Sequence, residues 1–258
     1  VSYELHLIEV GNRLANHIYL LHCTHTGVTA AIDPTEAAPV LEALQARGWT
    51  LSLIFTTHHH ADHTDGNAEL KARTGCRVIG SRADAARIPT LDMGVGEGDA
   101  VTVGALQGMV METSGHTLGH ISYYFPEVKL LFSGDVLFSL GCGRVFEGTY
   151  EQAYASLQRI AALPDDTLVC AAHEYTVANA AFALTVDPDN AALHARAKQA
   201  AEQRAAGLAT VPVLLREEKQ ANPFLRCYTD AVRRAVGVTL EDTEVEVFMR
   251  LRQMKDAF

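Results

Sequence analysis

The chain has 258 residues, 48% of them hydrophobic and 20% charged, which is enough apolar side chain for a sizeable core and too little charge bias for disorder. Lys and Arg number 21 against 31 Asp and Glu, a formal charge of -10 that repels a phosphate backbone and excludes nucleic acid as a general partner. No apolar run approaches the roughly 20 residues of a membrane span, and five cysteines without a CxxC pair point to a reducing, cytoplasmic compartment and not to a disulfide framework.

In chain order, the first two thirds read as short strands broken by turns: Leu5–Val10, Ile18–His22, Val28–Ile32, Leu51–Thr56, Arg77–Ile79, Ala100–Val103, Gly108–Glu112, Ile121–Phe125, Lys129–Ser133 and Thr167–Ala171. Two helices interrupt them. Pro34–Arg47 carries Val40, Leu41 and Leu44 at helical spacing, and Tyr150–Leu163 carries Tyr154, Leu157, Ile160 and Ala161. Beyond His173 the composition shifts to Ala, Glu, Arg and Lys, with helices expected over Asn190–Ala206, Leu225–Val236 and from about Glu241 to Lys255. An α/β region over 1–173 followed by a smaller helical domain over 174–258 is the expected organisation.

The 12 histidines cluster. The strand Leu51–Thr56 delivers Thr57, His58, His59, His60, Ala61, Asp62 and His63 into a loop, and a helix starts near Asp62. Alternate side chains of an extended segment share a side, so His58 and His60 can converge on one cation while His59 points away. Asp62 and His63 can turn towards a second. Imidazole with carboxylate suits Zn, Fe or Mn, whereas Ca or Mg would be held by oxygens. One segment cannot complete two sites, and strand-then-ligand recurs at His116, Asp135 and His173. The bland reading, a histidine-rich polar loop, does not account for that recurrence. His120 is read as a buried, hydrogen-bonded residue. Asp33 reads equally as a partner of a ligating histidine or as an Asp-Pro turn.

HxHxDH followed by a lone His, a lone Asp and a final His resembles the signature of the metallo-β-lactamase superfamily. Within it, Gly134–Thr149, Ala172–Thr176, Asn222–Arg226 and Arg252–Phe258 resemble the hydroxyacylglutathione hydrolase (glyoxalase II) family. The resemblance runs along nearly the whole chain. It implies an αββα sandwich followed by a helical glutathione-recognition domain, and two divalent ions per chain, zinc first, with iron or manganese compatible. His58, His60 and His116 would hold one ion, Asp62, His63 and His173 the other, and Asp135 both, with a metal-activated hydroxide as nucleophile. Asp62 and Asp135 are thereby the catalytic carboxylates. Arg144, Phe146, Tyr175, Arg252 and Lys255 match positions that contact glutathione. On their own, Arg252 and Lys255 read as a solvated helix face, while Arg144, close to Asp135 in a Gly-rich turn, suits a site by itself.

Ala61, Thr64, Asp65 and Ser114 depart from the family's pattern without removing a ligand. Phe146 stands where Tyr would offer a hydroxyl, a loss of about 1 kcal/mol of binding. The implied reaction is hydrolysis of S-(2-hydroxyacyl)glutathione, chiefly S-D-lactoylglutathione, by a monomer whose partner is this small thioester. Rival readings are a glutathione persulfide dioxygenase, a β-lactamase, a nuclease and a non-catalytic module binding metal or glutathione. The full ligand set with the Arg252/Lys255 ending favours the binuclear hydrolase, and the acidic composition disfavours the nuclease.

Overall fold

Runs of alternating or wholly apolar residues form the first sheet: β1 (Tyr3–Glu9), β2 (His17–Cys23), β3 (Val28–Ile32), β4 (Thr50–Phe55), β5 (Arg77–Ser81) and β6 (Met93–Val95), hydrogen-bonded in that order. The computed structural model describes residues 2–239 and 241–258. β1, β2 and β3 pair antiparallel, then β3–β4, β4–β5 and β5–β6 pair parallel. Parallel neighbours need a crossover. α1 (Ala37–Arg47) supplies it between β3 and β4, and α2 (Ala61–Thr64) with α3 (Asn67–Thr74) between β4 and β5.

Period-two geometry divides each strand between two faces. Ile18, Leu20, Ile54 and Val78 pack with Val40 and Leu44 of α1 and Leu70 of α3. The opposite face meets an antiparallel meander of β7 (Ala100–Val103), β8 (Leu106–Glu112), β9 (Ile121–Phe125) and β10 (Leu130–Gly134). Tyr19 meets Phe132 at 5.7 Å between ring centroids and Phe55 stacks on Tyr123 at 4.9 Å. Each such fully buried large side chain contributes about 1.5–3 kcal/mol of transfer free energy. The architecture is an α/β sandwich, with helices following it in the chain.

Contact density separates two compact units, one running up to Thr113 and including Leu118–Gly134, the other made of Ser114–Thr117 and Asp135–Phe258. The second holds the short pair β11 (Leu137–Phe138) and β12 (Gly141–Cys142), then α4 (Tyr150–Ala161), β13 (Leu168–Ala171), α5 (Thr176–Val186) and α6 (Ala191–Ala205). β14 (Val213–Leu214), α7 (Leu215–Ala221), α8 (Asp230–Ala235) and α9 (Glu244–Ala257) complete it. Residue 173 lies inside this unit, in which α4 packs on α9. Tyr154 meets Phe248 at 5.5 Å and its hydroxyl donates to Glu244. Both helices start with a capping box, Thr149 with Gln152 and Thr243 with Glu246, each cap being worth about 1 kcal/mol.

The expected helix over Leu225–Val236 forms only from Asp230, where the Thr229 hydroxyl caps it; Pro223–Leu225 is a separate 3-10 turn. α3, α5 and α7 and the strands of two or three residues were not expected from the sequence. Among the described residues no helix is long and apolar enough to cross a membrane.

Candidate metal centre

Because β3 and β4 are parallel, with Ile32 opposite Phe55, the residues that follow them emerge side by side. The Asp33 amide donates to Phe55 O at 3.0 Å, and its backbone takes the left-handed conformation (φ 49), which Asp tolerates better than most residues. Its carboxylate then reaches the next strand end. Oδ1 accepts the Thr57 amide at 2.7 Å, and Oδ2 accepts the Thr57 hydroxyl at 2.7 Å and His63 Nδ1 at 3.0 Å.

These bonds set the imidazole tautomers. A carboxylate only accepts, so His63 carries its proton on Nδ1, and its Nε2 lone pair faces Asp62 Oδ2 at 3.2 Å. The Thr57 hydroxyl spends its one proton on Asp33, so its oxygen accepts from His58 Nδ1 at 3.0 Å. His58 Nε2 is left aimed at His60 Nδ1, 3.1 Å away. His59 turns aside, its Nδ1 lying 3.2 Å from Asp84 Oδ2. His120 is buried and bonded to Thr113 Oγ1 at 2.9 Å, the role expected for it.

The second unit repeats the logic. His116 Nδ1 donates to Arg144 O at 2.8 Å, leaving Nε2 facing Asp135 Oδ2 at 3.4 Å, while His173 Nε2 lies 3.1 Å from Asp135 Oδ1. Each Asp135 oxygen thus faces one imidazole. Gly143 is required beside it, because a Cβ there would collide with the Asp135 carbonyl. Gly134, immediately before Asp135, has φ 53 and leaves no room for a Cβ against Thr57 Oγ1 and His120 Nε2, both 2.6 Å from where it would stand.

The donor set fits divalent cations. In His63 and His116 the Nδ1 proton is consumed by an oxygen acceptor and Nε2 is directed at a carboxylate oxygen, whereas His58 Nε2 can accept a proton from His60 Nδ1. The acceptor-to-acceptor pairs at His63 and His116 need positive charge between them, and a hydrogen-bonded outer nitrogen is the usual support of a metal-ligating histidine. Imidazole and carboxylate at these positions suit Zn, Fe or Mn.

The residues expected to contact glutathione also lie in the second unit. Phe146, 61% exposed, presents its ring edge to His116 at 5.2 Å. Tyr175 stacks on His173 at 4.7 Å, with Phe138 edge-on to both. Arg144 Nε lies 3.6 Å from Asp256 Oδ1. Lys255 sits half-buried between the rings of Phe182 and Phe258, at 5.5 and 5.4 Å, and partial burial, then Arg252 and Arg144, hold its ammonium below the usual lysine range. Arg252 is only 3% exposed: it donates to Cys142 O at 2.6 Å, pairs with Asp256 at 2.9 Å and lies over Phe224. Asp256, the counter-charge shared by Arg144 and Arg252, went unnoticed in the sequence although its i,i+4 spacing from Arg252 was visible.

Residues 17–173 match the metallo-beta-lactamase superfamily, and residues 174–258 match the hydroxyacylglutathione hydrolase C-terminus. The hydroxyacylglutathione hydrolase of Rhodospirillum rubrum is 53% identical over 243 residues, 94% of either chain. That of Methylococcus capsulatus is 47% identical over 254 residues, 98% of this chain and 99% of its own. Among solved structures, ETHE1 from Myxococcus xanthus aligns with a TM-score of 0.68 at 28% identity, covering 98% of this chain and 90% of its own. TTHA1623 in a di-iron-bound form aligns at 0.56 and 28%, covering 65% and 91%. The sandwich is that of the metallo-β-lactamase superfamily. Within it, identity along nearly the full length and the matching C-terminal region make this chain a member of the hydroxyacylglutathione hydrolase family.

Proposed function

We propose that the chain hydrolyses S-(2-hydroxyacyl)glutathione, chiefly S-D-lactoylglutathione, to glutathione and D-lactate, the second step of methylglyoxal detoxification, using two divalent ions, zinc first. The observation that carries this reading is the repeated lone-pair arrangement at His63 and His116, in a chain whose residues 174–258 match the hydrolase C-terminus. We assign His58, His60 and His116 to one ion, Asp62, His63 and His173 to the other, and Asp135, with an imidazole at each oxygen, to both. Ions held there supply Lewis acidity towards a carbonyl and bring the pKa of a water towards about 7.

The chain's own part is orientation. Asp33 and Thr57 keep His58 and His63 in the tautomers whose Nε2 can ligate, and the Arg144 carbonyl does so for His116. The leaving thiolate, of pKa about 8.5, departs without a strong general acid, so no side chain has to protonate it. Arg144 and Lys255, with Tyr175 and Phe146, form the handle for a substrate that carries carboxylates, and local cations there offset the formal charge of -10. Arg252 supports that handle from within through Asp256. The catalytic part is assigned to 1–173 and glutathione recognition to 174–258. All five cysteines are free and buried, which supports a cytoplasmic setting, and we assign a monomer.

Purified protein offered S-D-lactoylglutathione, glutathione persulfide with oxygen, or a β-lactam separates the rivals. Release of free thiol and D-lactate from the thioester is expected. Oxygen consumption with the persulfide and no thioester cleavage would replace the proposal with the dioxygenase reading.

A further inference from the structure

Asp62 sits on α2, a helix of four residues, too short to hold a side chain by its own packing. Its carboxylate is held from 46 residues away. Asn16, 2% exposed and immediately before β2, donates from Nδ2 to Asp62 Oδ2 at 3.0 Å and to the Asp62 carbonyl at 3.1 Å, so both amide protons are committed to one residue. The oxygen it touches is the one facing His63 Nε2 at 3.2 Å.

The orientation of this amide is dictated upstream. Asn12 Oδ1 accepts the Asn16 backbone amide at 3.0 Å, so Asn12 Nδ2 faces Asn16 Oδ1 and donates to it at 2.9 Å. With its oxygen thus engaged, Asn16 must turn its NH2 to Asp62; the flipped form would set three acceptors against one another. The loop carrying both asparagines is closed by Ala15 N to Asn12 O at 3.0 Å and Val10 N to Asn16 O at 3.1 Å. A neutral donor in that place steadies an anionic oxygen without competing for it as a cation would.

We infer that Asn16, braced by Asn12, is a positioning residue that aims the Asp62 carboxylate at the ion assigned to Asp62, His63 and His173. The inference rests on the metal reading above. Partners of ligating carboxylates typically contribute 10–100-fold to metal affinity. Asn16→Ala removes the donor, and Asn16→Asp keeps the shape while replacing the donor by an acceptor. Both should weaken one metal equivalent and leave the other alone.

The test titrates the metal-free full-length chain with Zn in competition with a chromophoric chelator, for the parent, both Asn16 variants and His63→Ala, with melting temperatures measured alongside. His63→Ala identifies the equivalent concerned by abolishing it. The expected result is a rise of about 10–100-fold in the dissociation constant of that same equivalent in both Asn16 variants. Unchanged constants in either folded Asn16 variant would overturn the inference and leave the metal reading intact. Equal weakening of both equivalents with a lowered melting temperature would reduce Asn16 to a loop anchor, which also overturns it. If His63→Ala keeps two tight equivalents, the metal assignment itself fails.

Discussion

Asp33→Asn should separate the scaffold's stability from its capacity to hold metal. Asparagine tolerates the left-handed backbone at this position and fills the same space. It offers one acceptor where the carboxylate accepts three hydrogen bonds, from Thr57 N, Thr57 Oγ1 and His63 Nδ1. If its oxygen keeps the Thr57 amide, its NH2 faces the hydroxyl and the imidazole. The hydroxyl then turns its proton to His58 Nδ1, and His63 Nδ1 becomes an acceptor. Both imidazoles are driven to carry their proton on Nε2, the atom assigned to the metals.

Most hydrogen bonds re-form in this arrangement, so folding stability should fall by only about 1–2 kcal/mol. Metal affinity should fall about 10–100-fold. Asp33→Ala instead strands three buried donors at about 1–3 kcal/mol each and puts alanine at positive φ for about 1–2 kcal/mol more, at least about 4 kcal/mol in all. Denaturant unfolding of chelator-treated protein reads the first quantity and competition for Zn reads the second. An Asp33→Asn variant that binds Zn as the parent does would refute the tautomer argument, whatever its stability.

Replacing Arg144 and Lys255 together by Ala should raise KM for the thioester several-fold with a smaller change in kcat, because a remote grip acts alike on ground and transition states; added salt should partly reproduce it in the parent. With its ammonium pKa depressed, Lys255 loses charge as pH rises before an ordinary lysine near 10.4 does. KM should therefore climb on the alkaline side below that value, and Lys255→Arg should flatten the climb; a parallel climb in both would assign it elsewhere. Burial pushes the Cys142 thiol up to about 11 and raises Cys170 and Cys227 as well. Mass mapping after alkylation at pH 8 should find these three unmodified in folded protein and modified in denaturant.

The residues proposed as metal ligands could be picked out because each follows an apolar strand, and a strand end is where a short side chain can reach a common point. The pattern also showed that His59 turns away, though not that Asp84 receives it. What the sequence withheld is pairing between strands. Asp33 could be an Asp-Pro turn until β3 and β4 prove to be parallel neighbours, which places it beside Thr57. Asn16 lies 46 residues from Asp62, and nothing in its own segment signals the contact. α5 was hidden because Ala180, Phe182, Ala183 and Val186 are buried around a helix that is apolar on most sides, leaving no amphipathic period. α3 was hidden for the opposite reason, with Leu70 its one buried aliphatic residue. Arg252 and Lys255 share one helix, yet one is buried and the other half-buried, a difference set by Phe224, Phe182 and Phe258 and not by spacing.

The most direct measurement is turnover of S-D-lactoylglutathione against metal content in one preparation, stripped with chelator and reloaded stepwise, alongside Asp135→Ala. The stripped parent should be inactive yet folded, activity should return with occupancy up to two ions per chain, and Asp135→Ala should stay inactive at any metal concentration while its circular dichroism remains native. Thioester hydrolysis at the parent's rate by metal-free protein, or by Asp135→Ala, would contradict a metal-dependent mechanism at this site.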